Sequence, residues 1–148
     1  MSAPGIAIPS GSKVFLDTSP FIYFIEEIDP YFIIVKDLFE KNSSGLFQIV
    51  TSPLTLTEVL TLPMKKKADE IVMQYEDILL HSPFIYLEPF DVRVAKKAGE
   101  MRTAYNLQTA DAIQIASAIL SGSAAFVTND NRLSVVNEIK VIQISHHA

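Results

Sequence analysis

Four acidic residues fall at comparable places, each ending an apolar run or standing near the start of a helical one: Asp17, Glu58, Asp111 and Asp130. Asp111 stands near the start of LQTADAIQIASAIL (107–120), in which nearly every residue after Thr109 is small or aliphatic, so an unpaired carboxylate there would be costly. Carboxylates in one pocket repel and raise one another's pKa, and a divalent cation removes this conflict. Because all ligands would be oxygens and the chain has no cysteine, Mg²⁺ or Mn²⁺ is favoured over zinc.

Each acid also has a simpler interpretation. Asp17 could form a turn at a strand end, and Glu58 could be an exposed helical glutamate. Asp111 could be a helix N-terminal acid that the helix dipole stabilises by up to about 1 kcal/mol, with Thr109 as N-cap. Asp130 could belong to an Asx-turn in TNDN. The four acids together favour a shared cation site, because all of them are expected near one edge of the fold.

The elements that must position these acids alternate along the chain. Apolar runs without polar alternation predict five buried strands, at 13–17, 47–52, 84–89, 124–130 and 139–145. Helices are predicted between them, at about 19–28, 31–42, 53–62, 65–80, 91–105 and 109–120, with a short helical piece around 131–136. This order predicts an α/β fold, a three-layer α/β/α sandwich around a parallel sheet of about five strands. Ligands bind outside the carboxyl ends of such strands.

Capping residues predict where several helices begin. Ser19 precedes Pro20, and Ser52 precedes Pro53, so each serine is expected to be an N-cap with proline in the first turn. Asp91 is expected to cap the helix that follows the third strand.

The composition of the chain limits the classes of protein to which it can belong. The chain has 148 residues, 49% of them hydrophobic, which is enough for one domain over 1–148 with a substantial core. Residues 1–12 are expected to form a loose segment without the features of a signal peptide. No apolar run reaches the roughly 20 residues of a spanning helix, so no membrane is expected, and the lack of cysteine fits a reducing cytoplasm. The net charge of −5 is unfavourable for binding a phosphate backbone.

Four segments in order carry a resemblance to a known family. The segments FLDTSPF, TEV, LQTADAIQIASAI and FVTNDNRL resemble the PIN-domain nucleases, especially the small single-domain bacterial kind that includes VapC-type toxins. The resemblance extends from about residue 13 to 144. It implies a PIN-like fold, a parallel sheet flanked by helices on both sides, which agrees with the pattern of elements.

The resemblance also implies a function. It places an acidic site for one or two Mg²⁺ or Mn²⁺ ions on Asp17, Glu58, Asp111 and Asp130, and implies hydrolysis of RNA phosphodiester bonds. Thr128 matches a hydroxyl position near that site, and Ser19 and Thr109 are expected to support it. Two basic residues, Arg102 and Arg132, are expected to contact the RNA backbone. A toxin of a type II toxin–antitoxin pair is implied, with a small antitoxin as partner and a homodimer as assembly.

Three other interpretations remain open. The chain could be a non-catalytic or silenced PIN-fold module that binds a partner. A phosphoryl-transfer enzyme with an aspartyl nucleophile would need a second acid two residues after Asp17, where this chain has Ser19. A receiver-like signalling module would need a lysine at the carboxyl end of the last strand, whereas Lys140 stands at its start.

Overall fold

A parallel five-stranded sheet forms the centre of the protein in a computed structural model that describes residues 5–148. The strands are β1 (Lys13–Leu16), β2 (Gln48–Thr51), β3 (Ile85–Leu87), β4 (Ala125–Thr128) and β5 (Lys140–Gln143). All neighbouring strands are parallel, in the order β3-β2-β1-β4-β5. The five predicted strands and their parallel arrangement are confirmed.

Six α-helices connect the strands: α1 (Thr18–Ile25), α2 (Phe32–Ser43), α3 (Pro53–Lys65), α4 (Asp69–His81), α5 (Val92–Tyr105) and α6 (Thr109–Leu120). Short 3₁₀ helices cover Asn131–Val135 and Ile144–His147. No helix within residues 5–148 has both the length and the apolar character needed to cross a bilayer.

Alternate residues of β1 face two separate cores. Val14 and Leu16 pack into a cluster with side chains from α1 to α4, whereas Phe15 packs into a cluster with side chains from α5 and α6. All three side chains are completely buried. Because successive side chains of a strand point to opposite faces, helices cover both faces of the sheet, and the predicted three-layer sandwich is confirmed.

Two of the predicted helix caps are confirmed and two are wrong. Ser52 and Asp91 cap α3 and α5 through their side chains. Ser19, however, lies inside α1, because the helix starts immediately after the strand and the Asp17 carboxylate is its cap. Thr109 is the first residue of α6 rather than its cap, since the cap position belongs to Gln108, which makes no capping side-chain hydrogen bond.

The N-terminal segment is irregular but partly anchored. Residues 5–12 form no helix or strand, as expected, yet Ile6 is only 1% exposed and belongs to the core. Further along, the Gly11 amide donates a 2.8 Å hydrogen bond to the Leu46 carbonyl. The description of 5–12 as loose is therefore wrong at Ile6, and residues 1–4 of the predicted segment lie outside the described residues.

Candidate active site

A pocket of about 670 Å³ opens beside the carboxyl ends of β1 and β4, and all four predicted acids line it: Asp17, Glu58, Asp111 and Asp130. The chain order reverses here, because β2 and β3 lie on one side of β1 while β4 and β5 lie on the other. Ligands bind to open parallel sheets at such a reversal. Four different segments therefore bring one acid each to the position where this fold binds ligands.

Asp17 lies at the base of the pocket and is held by three hydrogen bonds. Its Oδ1 accepts from the Thr18 amide at 2.9 Å and from Gln114 Nε2 at 3.3 Å, and its Oδ2 accepts from the Thr128 hydroxyl at 2.8 Å. Desolvation raises the pKa of this carboxyl, and the hydrogen bonds oppose that rise while the nearby charge of Asp130 adds to it. The carboxylate is thus fixed in orientation but incompletely compensated in charge.

Glu58 reaches the same pocket from α3 and is linked to the residue next to Asp17. The Thr18 hydroxyl donates a 2.7 Å hydrogen bond to Glu58 Oε1. Thr18 therefore contacts two of the acids, Asp17 through its amide and Glu58 through its side chain. Thr18 is not among the residues predicted from the sequence, although its place directly after a strand-terminal acid is a signal that could have indicated it.

Arg132 supplies positive charge to the outer half of the pocket. Its guanidinium contacts both carboxylate oxygens of Asp130, with Nη2 at 2.6 Å from Oδ2, and lies 3.7 Å from Asp111 Oδ2. The hydrogen bonds from Arg132 lower the pKa of Asp130. The arginine thus partly neutralises two acids that come from different parts of the chain.

Desolvation and the negative charges of the other three acids raise the pKa of Asp111. Its pKa is raised, first by desolvation and then by the charge of Asp17, with smaller contributions from Asp130 and Glu58, while Arg132 opposes the rise. The mutual repulsion that the sequence analysis expected is therefore present around Asp111. These contributions mean that Asp111 lies close enough to the other three acids for their charges to affect its pKa.

The remaining predicted residues fall into two groups. Thr128 contacts Asp17 directly, and Ser19 lines the pocket. Thr109 and Arg102 are not among its lining residues. The prediction that Arg102 faces the site is not supported, because α5 ends at Tyr105 and the Arg102 Nε donates to the Leu107 carbonyl at 3.1 Å.

Gln114 lines the pocket but is not among the site residues predicted from the sequence. It lies on α6, is only 2% exposed, and contacts Asp17 as described. Its signal was an amide three residues after Asp111, in the mostly apolar part of this helix, since positions three apart lie on neighbouring parts of one helix face. A buried amide needs polar partners, and those partners indicate the site.

The pocket suits a hard divalent cation in donor type and in charge. Its acids offer only oxygen, and the raised pKa values of Asp17 and Asp111 mark charge that the protein itself does not fully compensate. Within residues 5–148, however, no three His, Cys, Asp or Glu side chains stand ready in the geometry of a metal cage. Besides Asp17, two of the acids are held by other groups, Glu58 by Thr18 and Asp130 by Arg132. Binding an ion would therefore require these side chains to adjust.

We expect Asp111→Asn to leave the metal-free protein as stable as the wild type or more stable at pH 7. A carboxyl whose pKa rises on folding contributes stability below its unfolded pKa, and this contribution is lost as the pH rises through the folded pKa. The neutral amide removes that loss, so the unfolding temperature of the variant should also depend less on pH. Thermal unfolding followed by circular dichroism between pH 4 and pH 8 measures both effects.

The opposite result would identify Asp111 as a helix-stabilising acid. Losing a favourable charge in the first turn of α6 costs about 0.3–1 kcal/mol, which lowers the melting temperature of a protein of this size by about 1–4 °C. A fall of that size or greater in the metal-free variant would contradict the repulsion described above.

Comparisons with known proteins agree with this fold. A sequence profile of the PIN domain matches residues 14–139. The solved structure of VapBC2 from Rickettsia felis, bound to a DNA fragment from the VapBC2 promoter, matches with a TM-score of 0.70 and 20% identity, over 88% of this chain and 98% of that one. VapC20 from Mycobacterium tuberculosis, a Sarcin-Ricin loop cleaving toxin, matches with a TM-score of 0.67 and 19% identity, over 86% of this chain and 98% of that one.

A third solved structure, DNA-bound VapBC from Salmonella typhimurium, gives a TM-score of 0.67 and 20% identity, over 90% of this chain and 98% of that one. No curated protein matches the sequence significantly. At these identities the solved structures establish the fold alone, and the family rests on the sequence profile. Because that profile covers most of the chain, the protein belongs to the PIN domain family, whose nucleases generally use divalent metal ions.

Proposed function

We propose that the protein is a metal-dependent ribonuclease that hydrolyses RNA phosphodiester bonds. The observation that carries the proposal is the placement of four carboxylates, from four separate segments, around one pocket at the carboxyl edge of the sheet. The proposed ligands of one or two Mg²⁺ or Mn²⁺ ions are these acids: Asp17, Glu58, Asp111 and Asp130. A bound divalent ion supplies counter-charge for a phosphate and makes water more acidic.

The residues around the acids have distinct proposed tasks. Thr128 and Gln114 hold the two oxygens of Asp17, which fixes the carboxylate for ligand binding. Thr18 links Asp17 to Glu58 by hydrogen bonds and so fixes the position of one acid relative to the other. Because no side chain needs to act as a nucleophile in metal-assisted hydrolysis, the lack of cysteine in the chain is compatible with this chemistry.

Arg132 is the proposed contact with the RNA phosphate. Its side chain is 65% exposed, and it pairs with Asp130 and, at longer distance, with Asp111. An ion that takes over the compensation of these acids would leave the guanidinium available for a phosphate oxygen, which it binds with good geometry. A strongly salt-dependent RNA affinity would accompany such a contact.

A toxin of a type II toxin–antitoxin pair is the biological role we propose. The support is the PIN domain match together with structural neighbours that include a toxin–antitoxin complex from Klebsiella pneumoniae. A small antitoxin protein is the proposed partner, and a homodimer is the proposed assembly.

Cleavage of a labelled single-stranded RNA tests the nuclease directly. We expect products in the presence of Mn²⁺ or Mg²⁺ and none with excess EDTA. Without an ion, nothing at the acids supplies counter-charge for the phosphate or makes the attacking water more acidic. Raising the KCl concentration at fixed Mn²⁺ should weaken RNA binding without abolishing cleavage at saturating RNA. Cleavage that persists in EDTA would contradict the proposed mechanism.

The structure also offers support for a second candidate, a PIN-fold module that binds a partner without catalysis. No ready metal cage exists within the described part of the chain, and Arg132 already pairs with two of the acids. Absence of cleavage with both metals, together with absence of Mn²⁺ binding in a calorimetric titration, would favour this module over the nuclease.

A further inference from the structure

A series of hydrogen-bonded, buried polar groups lies behind the acidic pocket and connects β1, β2, α3 and α6. Gln114 Nε2 lies 2.8 Å from the Thr55 hydroxyl in addition to its contact with Asp17, and its Oε1 accepts a short hydrogen bond from the Ser52 hydroxyl. The Thr51 and Thr55 hydroxyls lie 2.8 Å apart. Every one of these hydroxyl groups belongs to a residue with no exposed surface, and Gln114 is 2% exposed.

The two ends of this series of groups determine the direction of its hydrogen bonds. The Leu16 carbonyl, 2.8 Å from the Thr51 hydroxyl, can only accept, and at the other end Asp17 Oδ1 accepts from Gln114 Nε2. The single proton of Thr51 therefore points to Leu16, and Thr55 supplies the proton between the two threonines. Thr55 then accepts from Gln114, whose amide nitrogen must face both Thr55 and Asp17.

The direction of these hydrogen bonds allows only one orientation of the Gln114 side-chain amide. Its two amide protons go to Asp17 and Thr55, and its oxygen accepts from Ser52. A flipped amide would place its oxygen against the Asp17 carboxylate and its nitrogen against the Ser52 hydroxyl. In addition, the two ends of this series of hydrogen bonds meet on adjacent residues, at the carbonyl of Leu16, the last residue of β1, and at the side chain of Asp17, which follows it.

We infer that Gln114 is a positioning residue for the metal site, held by Ser52 and Thr55 so that its amide fixes the Asp17 carboxylate from behind. The inference rests on the proposed metal-dependent function. It assigns to α6 a second task, because α6 then brings Asp111 to the pocket and also orients Asp17. Loss of such supporting hydrogen bonds typically weakens metal binding about 10-fold to 100-fold.

Calorimetric titration with Mn²⁺ alone, on the full chain, tests the inference without relying on cleavage. We expect Gln114→Leu to raise the Mn²⁺ dissociation constant about 10-fold to 100-fold. The matched control is Ser117→Ala, one turn further along α6, which removes a buried hydroxyl that donates to the Ile113 carbonyl and contacts no acid of the pocket. The control should bind Mn²⁺ within about twofold of the wild type, since additivity errors at uncoupled sites are of that size.

A second variant keeps the test valid if Gln114→Leu fails to fold. Thr55→Val preserves the shape of the side chain but removes the hydroxyl that holds the Gln114 amide, and we expect it to weaken Mn²⁺ binding about threefold to tenfold, as for one lost hydrogen bond. Variants that melt at a lower temperature yet bind Mn²⁺ like the wild type would overturn the inference, since that is the signature of a purely structural network. Wild-type protein that binds Mn²⁺ but cleaves no RNA would contradict the proposed function and leave this test in force.

Discussion

Asp17→Asn should abolish metal-dependent RNA cleavage, with a loss of about a thousandfold or more. Asp17 is the proposed ligand that three different residues hold by hydrogen bonds, Thr18, Gln114 and Thr128, and desolvation raises the pKa of its carboxyl. An amide offers one weakly charged oxygen to a cation in place of two that share a full charge. Losing about 4 kcal/mol of transition-state stabilisation, within the several kcal/mol that a catalytic ion provides, corresponds to that factor.

The variant should lose metal binding without losing its fold. The amide oxygen can still accept from the Thr18 amide as a helix cap, so the metal-free melting temperature should change little. Mn²⁺ should raise the melting temperature of the wild type and leave that of Asp17→Asn unchanged, because a ligand stabilises only the protein that binds it.

A control of the same chemical change is available at Asp91. This residue caps α5 and takes no part in lining the pocket, and asparagine caps a helix about as well as aspartate. Asp91→Asn should therefore retain full cleavage and full Mn²⁺ stabilisation. Equal cleavage by wild type and Asp17→Asn would mean that a contaminant or a different site performs the reaction.

The layers of the fold were predictable from the sequence because the strands carry no polar alternation. Apolar runs such as Ala125–Thr128 are buried on both faces, and this pattern occurs in parallel sheets covered by helices. Helix starts were less predictable where a strand and a helix meet without a loop. Asp17 acts at once as the residue after β1 and as the cap of α1, so Ser19 was wrongly assigned as the cap.

The acids of the candidate site could be identified because Asp17 and Asp130 follow strands, whereas Glu58 and Asp111 lie in the first turns of helices. All four positions are expected at one edge of the sheet. Their partners could not, because the hydrogen bonds of Thr18 and Gln114 join residues that lie 40 and 97 positions apart in sequence. Proximity along the chain to Asp111 also does not bring Arg102 into the pocket. Asn106 adopts a left-handed conformation with φ 55°, which ends α5 and turns the chain, and Arg102 binds the backbone of that turn rather than the pocket.

Phe126→Ala should cost about 3–5 kcal/mol of folding stability, the largest stability effect that we predict. Phe126 lies in β4 and stacks on Phe15 of β1, with ring centroids 5.3 Å apart and planes within 7° of parallel. Both rings are completely buried between the sheet and the α5–α6 layer. Truncation leaves a cavity in a layer that cannot collapse easily, because strands fix it from one side and helices from the other.

Urea unfolding followed by circular dichroism measures this cost, with Phe90→Ala as the control. Phe90 is 54% exposed, so its truncation should change stability by no more than about 0.5 kcal/mol. The stacked pair also joins β1, which Asp17 follows directly, to β4, which ends at Thr128. The hydrogen bond between Asp17 and Thr128 crosses the base of the pocket. Phe126→Ala should therefore bind Mn²⁺ more weakly while it is still folded, whereas a stability loss below about 1 kcal/mol would mean that the layer relaxes around the cavity.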